Sequence, residues 1–234
     1  MVTEQDIFQR AELLLGQEVM KRLATRRVLL VGVGGVGSWC AEGLIRNGIR
    51  HLTLVDGDRV CASNVNRQLM ATTETLGEVK VEALRRRLLS INPQADITAI
   101  ERVFSEETAS SFHLADFDYI IDAIDSLKDK ALLIRMATET PGHLFSSMGA
   151  ALKTDPTGIR VAEFWKVKGD PLARALRNRF KREKQFPAKK FQCVFSEEHL
   201  PPTGEVNGSL VHVTAVFGFT LASLVVNDVM RQGS

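Results

Sequence analysis

Apolar positions along the chain fall into two alternating patterns. RRVLLVGVGG, HLTLVDGD, DITAIERV, FDYIIDAI and HLFSSMGA are short apolar runs that read as strands buried in a sheet, the first over about 26–33 and the second ending at Asp56. Between them the spacing predicts helices over 4–24 (with Leu13, Leu14, Val19, Met20 and Leu23 inward), Ser38–Asn47, Glu74–Ile91 and Ser126–Thr140. Gly48 suits the C-cap of the second of these, and Asn92-Pro93 stops the third. A short helix is expected between DITAIERV and FDYIIDAI. Beyond about residue 150 the pattern changes. RVAEFWKV and KFQCVFS read as strands flanking a basic helix, which Asp170 caps and Pro171 begins. A Pro-Pro-Thr-Gly loop and an apolar C-terminal helix follow. The pattern predicts an α/β fold: a Rossmann-like doubly wound sheet with helices on both faces, residues 1–150 as core and 151–234 as a C-terminal substrate-side extension, in one continuous domain.

Composition narrows this picture. With 234 residues, 44% apolar and 25% charged, the chain is not a disordered polymer. Cys40, Cys61 and Cys193 are odd in number and far apart, so neither a disulfide framework nor a C-x-x-C zinc site is present. Val211–Val226 is apolar but interrupted by His212, Thr214, Gly218, Thr220 and Ser223, the pattern of a buried core helix rather than a membrane span. MVTEQDIFQR has no signal-like apolar run, so a cytoplasmic protein is expected. Net charge is +2, unevenly placed: residues 166–190 hold 10 of the 30 basic residues and 2 of the 28 acidic ones, leaving −6 on the rest. One basic patch on a mildly acidic body follows.

The chemistry concentrates after the first strand. Gly32, Gly34, Gly35 and Gly37 lie between a strand and a helix, where small residues let the backbone approach a phosphate and the helix start favours an anion. Asp56 ends the next strand, where a carboxylate meets a ribose. A nicotinamide dinucleotide fits this much. The following segment, with Asp58, Asn64, Asn66, Arg67, Gln68 and Lys80, fits it poorly, because hydride transfer has no need of two cations over the loop. A triphosphate has that need, since its leaving pyrophosphate accumulates charge. Taken singly, Arg67 reads as a surface ion pair and Lys80 as a solvated helix residue; together with the loop they read as triphosphate ligands. Asp125 ends a further strand on the same edge and suits Mg²⁺, with Asp122 as its competitor farther from the strand end.

The set GVGGVGS, VDGDRVCASNVNRQ, GEVKVE, INP and DAIDS resembles the adenylating enzymes related to ubiquitin-activating enzyme and its bacterial relatives of thiamine and molybdopterin biosynthesis, over about residues 8–149. That resemblance implies that Asp56, Arg67, Lys80 and Asp125 hold ATP and Mg²⁺ in the 1–150 core. It also implies that Arg10 reaches across a homodimer interface to the triphosphate, and that a substrate carboxylate attacks the α-phosphate to give an acyl-adenylate and pyrophosphate. The second half, with GDPLA and its basic helix, CVFS and TAVFGF, is similar to the branch that dehydrates threonylcarbamoyladenosine in tRNA, although EEHLPPTGEVNGSLV is short for that branch. The branch implies adenylation of the threonylcarbamoyl carboxylate followed by ring closure with loss of AMP. The alternative is activation of the C-terminus of a ubiquitin-like or sulfur-carrier protein, and a cysteine desulfurase or sulfur acceptor is a further partner to consider.

Arg174, Arg177, Lys181 and Lys184 recur at three- and four-residue spacing, which predicts one cationic helix face for substrate RNA, with Leu172, Ala175, Leu176 and Phe180 turned away. Trp165 and Phe186 are expected to be buried rather than stacked on bases. Cys40 and Cys61 read as packing residues. Cys193, in a strand of the second half, is weighed as a nucleophile or sulfur relay but also reads as core. His113, His143, His199 and His212 lack metal-ligand spacing.

Overall fold

The computed structural model describes residues 3–232. Seven strands form one sheet: β1 (Arg27–Val31), β2 (His51–Val55), β3 (Asp96–Ile100), β4 (Tyr119–Asp122), β5 (His143–Ser147), β6 (Ile159–Glu163) and β7 (Gln192–Ser196). Their order is β3-β2-β1-β4-β5-β7-β6, parallel throughout except β6, which runs antiparallel to β7 at the edge. β1 shows why these runs are strands. Val28 and Leu30 enter the core on one face while Leu29 and Val31 enter the core on the other. Each is almost wholly buried, a gain of about 2 kcal/mol per side chain.

Helices cover both faces. They are α1 (Glu4–Leu15), α2 (Gln17–Thr25), α3 (Gly37–Arg46), α4 (Lys80–Ile91), α5 (Leu127–Glu139), α6 (Pro171–Glu183) and α7 (Val211–Arg231). α3, α4 and α7 share one core, and α5 and α6 the other. α7 is long and apolar enough to cross a bilayer by length and composition, yet half of its most apolar stretch is buried inside the molecule, where it packs along α3. That packing is close: a β-carbon on Gly218 would stand 2.5 Å from the Val36 carbonyl. The sheet is continuous across residue 150, because β7 pairs with β5.

Three expectations are corrected. The helix over 4–24 breaks at Gly16, whose φ of 81° ends α1, and the break leaves Leu13 and Leu14 at 79% and 83% exposure while Met20 and Leu23 stay buried. The helix expected from Glu74 starts at Lys80 instead. Thr72 N–H donates to Thr75 Oγ1 (2.9 Å), Thr75 Oγ1 donates to the Met70 carbonyl (2.8 Å), and Arg59 bridges Val79, so residues 72–79 are spent on a turn. Between β3 and β4 there are two 3₁₀ turns, Ala109–Phe112 and Leu114–Asp116, in place of one helix.

β1 is hydrogen-bonded to both β2 and β4, so strand order reverses there. That switch opens a crevice at the carboxyl ends of the strands.

Candidate active site

A cleft of about 740 Å³ occupies this crevice. Gly32, Gly34, Gly35 and Asp56 line it, as do Asp58, Arg67, Gln68, Lys80 and Asp125. Gly32 leaves β1 with φ 88°, and a β-carbon on Gly37 would lie 1.8 Å from the Gly32 carbonyl, so the turn closes only with glycine at that position. The amides of Gly34, Gly35 and Val36 find no acceptor among the described residues, which leaves a row of donors at the start of α3. Asp56 fixes this row: its Oδ2 accepts from Val33 N–H (2.8 Å) and its Oδ1 from Asp58 N–H (2.9 Å).

Two cations overhang the loop. The Arg67 stem lies against Gly35, with its Cγ 3.3 Å from where a β-carbon would be. Its Nη1 donates to the Ser63 carbonyl (2.7 Å) and to Asn66 Oδ1 (2.9 Å), and it has no carboxylate partner among the described residues. Lys80, at the start of α4, has a side chain 6% exposed, and its Nζ donates to Asp58 Oδ2 at 2.7 Å. Gln68 Oε1 is buried without a hydrogen-bond partner, an acceptor waiting for a donor.

Asp122 and Asp125 are separated by their partners. Asp122 is fully buried; its Oδ2 meets Lys130 Nζ (2.8 Å) and Ser146 Oγ (2.6 Å), and its Oδ1 accepts from Ile124 N–H (3.1 Å). Asp122 is thus held in the core and does not line the cleft. Asp125 is exposed at the cleft wall and free of hydrogen-bond partners among the described residues. No group of three or more metal-ligating side chains exists among the described residues, so a hard cation would draw its other ligands from phosphate and water.

Other sequence-predicted residues stand back from the cleft. Asn64 is buried, and its Oδ1 accepts from Cys61 N–H (3.1 Å) while its carbonyl accepts from the amides of Arg67 and Gln68; it shapes the turn that presents those two side chains. Gly37 packs beneath the loop. Arg10 is exposed on α1 and does not line the cleft of its own chain. Arg174 and Lys181 are exposed on α6, whereas Arg177 turns inward, donating to the Phe164 carbonyl (3.1 Å) with its guanidinium 5.8 Å from the Phe164 ring centroid. Lys184 is not on the helix: it ends α6 in a left-handed conformation (φ 53°).

The sequence reading missed the far wall. Asp170, known to it only as a cap, accepts from Ala173 N–H (2.8 Å) and Gly149 N–H (3.2 Å), and burial pushes its carboxyl up. Lys153 is buried, donating to the carbonyls of Ser196 (3.1 Å) and Glu198 and so tying the 150s loop to the end of β7. A lone lysine just past a strand end on the carboxyl edge was the available signal. Burial pushes the Lys153 ammonium down, against the opposing pull of Asp170 and Glu198. The unfolded chain therefore binds this proton more tightly, and the resulting penalty on folding fades as pH climbs from the lowered value toward 10.5. Urea midpoints of Lys153→Met should thus lack a rise that the parent shows in that alkaline window. Identical pH slopes would refute this account.

Cys193 is fully buried and desolvation pushes its thiol well above the ordinary value, which is the environment of an inert core thiol. Cys193→Ala is expected to leave single-turnover product formation at the parental rate. A loss of tenfold or more would return it to the chemistry.

The chain matches the ThiF family over residues 8–232. It is 40% identical over 191 residues to the tRNA threonylcarbamoyladenosine dehydratase of Bacillus subtilis, covering 82% of this chain and 74% of that one. It is 35% identical over 234 residues to the Haemophilus influenzae dehydratase of the same name, covering 92% and 90%. Among solved structures, that of the E. coli tRNA N6-threonylcarbamoyladenosine dehydratase in complex with ATP superposes with TM-score 0.91 and 35% identity over 98% of this chain and 96% of that one. A match that runs through the glycine turn, the overhanging cations and the far wall alike leaves one assignment: the chain belongs to the ThiF family.

Proposed function

We propose that the protein is an ATP-dependent tRNA threonylcarbamoyladenosine dehydratase. The observation that carries this is full-length similarity to dehydratases of that name, one of them solved with ATP, on a chain whose cleft has the parts a triphosphate needs. ATP is here a substrate. The carboxylate of the threonylcarbamoyl group attacks the α-phosphorus, pyrophosphate leaves, and a nucleophile within the same modification then closes a ring and expels AMP. A carboxylate is a poor electrophile, so its activation is the step that needs the enzyme.

The chain's own groups divide that work. The amides of Gly34, Gly35 and Val36 donate to phosphate oxygens, while Arg67 and Lys80 meet the charge that accumulates on pyrophosphate. Gln68 Oε1 takes a donor from the nucleoside, and Asp56 keeps the loop in shape beside the ribose. Asp125 would hold Mg²⁺, whose contribution is to neutralise phosphate charge. Residues 1–150 then form the ATP-binding part and 151–234 the substrate side, where Arg174, Lys181 and Lys184 present uncommitted charge to RNA. Arg177 contributes through Phe164 rather than directly.

A homodimer is part of this reading. Leu13 and Leu14 on α1 and Phe219 and Met230 on α7 are large apolar side chains left exposed, and Arg10 on α1 would serve a partner's cleft. A cytoplasmic setting follows from the tRNA substrate. A cysteine-desulfurase or sulfur-acceptor partner would find one exposed thiol among the described residues, Cys61.

The test mixes the protein with ATP and either tRNA carrying threonylcarbamoyladenosine or a ubiquitin-like carrier protein. Pyrophosphate and AMP are expected with tRNA only, together with a loss of the mass of one water from the modified nucleoside isolated under mild conditions. Pyrophosphate release that depends on the carrier instead would transfer the assignment to the alternative.

A further inference from the structure

Residues 165–190 leave two aromatic rings in solvent where the sequence led us to expect burial. Trp165 is 39% exposed and Phe186 is 53% exposed, and their ring centroids lie 6.2 Å apart at 45°. Neither position is accidental. Trp165 is braced by Phe164, edge to face at 5.1 Å, and Phe164 is itself fully buried against Phe180 and Phe191. Glu163 Oε1 accepts from Trp165 N–H (3.3 Å), and the chain turns out of α6 at Lys184 to bring Phe186 alongside. A rigid base therefore holds two rings outward.

The surroundings say what such rings meet. Lys166 and Lys168 flank Trp165 in the chain, and Lys184, Lys189 and Lys190 flank Phe186; all five are exposed. Of the two acids in this stretch, Asp170 is buried as the cap of α6 and Glu183 is paired with Arg179 (3.1 Å) and Arg182 (3.5 Å). The patch thus offers π-faces flanked in the chain by five exposed lysines, against one carboxylate, Glu163, that is spent on the Trp165 amide. That suits an unpaired nucleic-acid strand and gives little purchase to a protein surface of mixed charge. Its place along α6 agrees. Pro171, the first residue of α6, lines the cleft, and Phe180, against which the Trp165 brace rests, lies nine residues on, about 14 Å along the helix. A few nucleotides of unpaired strand span that distance.

We propose that Trp165 and Phe186 form a stacking platform for an unpaired base of the RNA loop that carries the modified adenosine, so that one base is clamped while the adenosine a few nucleotides along the strand enters the cleft. This deepens the tRNA reading and rests on it. Stacking selects for a single-stranded loop and not for a sequence, since every base has a π-face.

The experiment measures KM for tRNA, KM for ATP and kcat for the parent, Trp165→Ala, Phe186→Ala and Trp165→Phe, with the salt dependence of tRNA binding. Each alanine variant is expected to raise KM for tRNA about tenfold, with KM for ATP and kcat kept, and Trp165→Phe to retain most of the affinity. The slope of log affinity against log salt should not change, because no phosphate contact is removed; Lys181→Ala, in contrast, should lower it by about one. Binding of a short loop RNA should quench tryptophan emission in the parent and much less in Trp165→Phe. Phe186 is 53% exposed and lies outside the buried clusters, so its alanine variant reports stacking even if Trp165→Ala loosens the fold. Unchanged KM for tRNA in both alanine variants, in a parent that does turn tRNA over, overturns the platform and leaves the function standing. A parent inactive on every tRNA removes both. A change of oligomeric state in Phe186→Ala, without change in tRNA affinity, would make the patch a protein interface instead.

Discussion

Lys80→Ala should cut ATP-dependent pyrophosphate release by at least about a hundredfold, with little effect on the melting temperature. Removing a preorganised charge from a site where charge develops costs about two to three orders of magnitude in rate. Lys80 is placed for that cost: its ammonium is almost sealed from solvent, and Asp58 at 2.7 Å holds it at the cleft wall. Its loss has a second consequence. Asp58 would face the triphosphate uncompensated, adding repulsion between like charges to the missing attraction. Asp58→Asn in the Lys80→Ala background is therefore expected to recover part of the ATP affinity, but not the rate. Arg67→Ala should fall in the same range, and the Arg67, Lys80 double variant should cost less than the two singles combined, as groups acting on one leaving group do. A fall smaller than threefold for Lys80→Ala would mean that this ammonium serves only Asp58.

Most of the nucleotide side was legible before any coordinates. RVLLV followed by glycines and then a helix forces the chain to turn at a strand end, and parallel strands bring all their carboxyl ends to one edge. Asp56 and Asp125 could thus be put in one crevice from strand order alone, with Lys80 added by the need of a triphosphate for cations, and the structure has all three line it. What stayed hidden was decided by partners distant in the chain. In IIDAIDS, Asp125 reads as nearer the strand end than Asp122, yet β4 ends at Asp122; what separates the two is burial of Asp122 against Lys130 from α5 and Ser146 from β5. Lys153 and Asp170 join the wall only because β7 adds to the sheet beside β5. Leu13 and Leu14 carry helical spacing yet stand in solvent once Gly16 breaks the helix, a pattern that periodicity alone cannot distinguish from burial. Trp165 and Phe186 read as core by composition, whereas Phe164 and Phe180 take the interior places.

Lys130→Met is expected to destabilise the protein by about 3–5 kcal/mol, the usual cost of leaving one member of a fully buried ion pair without the other. Both Lys130 and Asp122 are wholly inaccessible, and the ammonium that bonds Asp122 Oδ2 also donates to the Ile124 carbonyl at 2.8 Å. Because folded domains hold only about 5–15 kcal/mol in all, this one change would move the urea midpoint by a large fraction of its value. The pair itself need not be a net gain: desolvating two charges consumes most of their attraction, so Asp122→Asn with Lys130→Met should restore much of what Lys130→Met loses. Activity should not return with stability. Ile124 N–H and C=O are both fastened to this pair, and the strand end they hold carries Asp125 into the cleft. The double variant is therefore expected to fold with a near-parental urea midpoint while its pyrophosphate release stays well below that of the parent. Full activity in that variant would show that the buried charges stabilise the sheet but do not position Asp125.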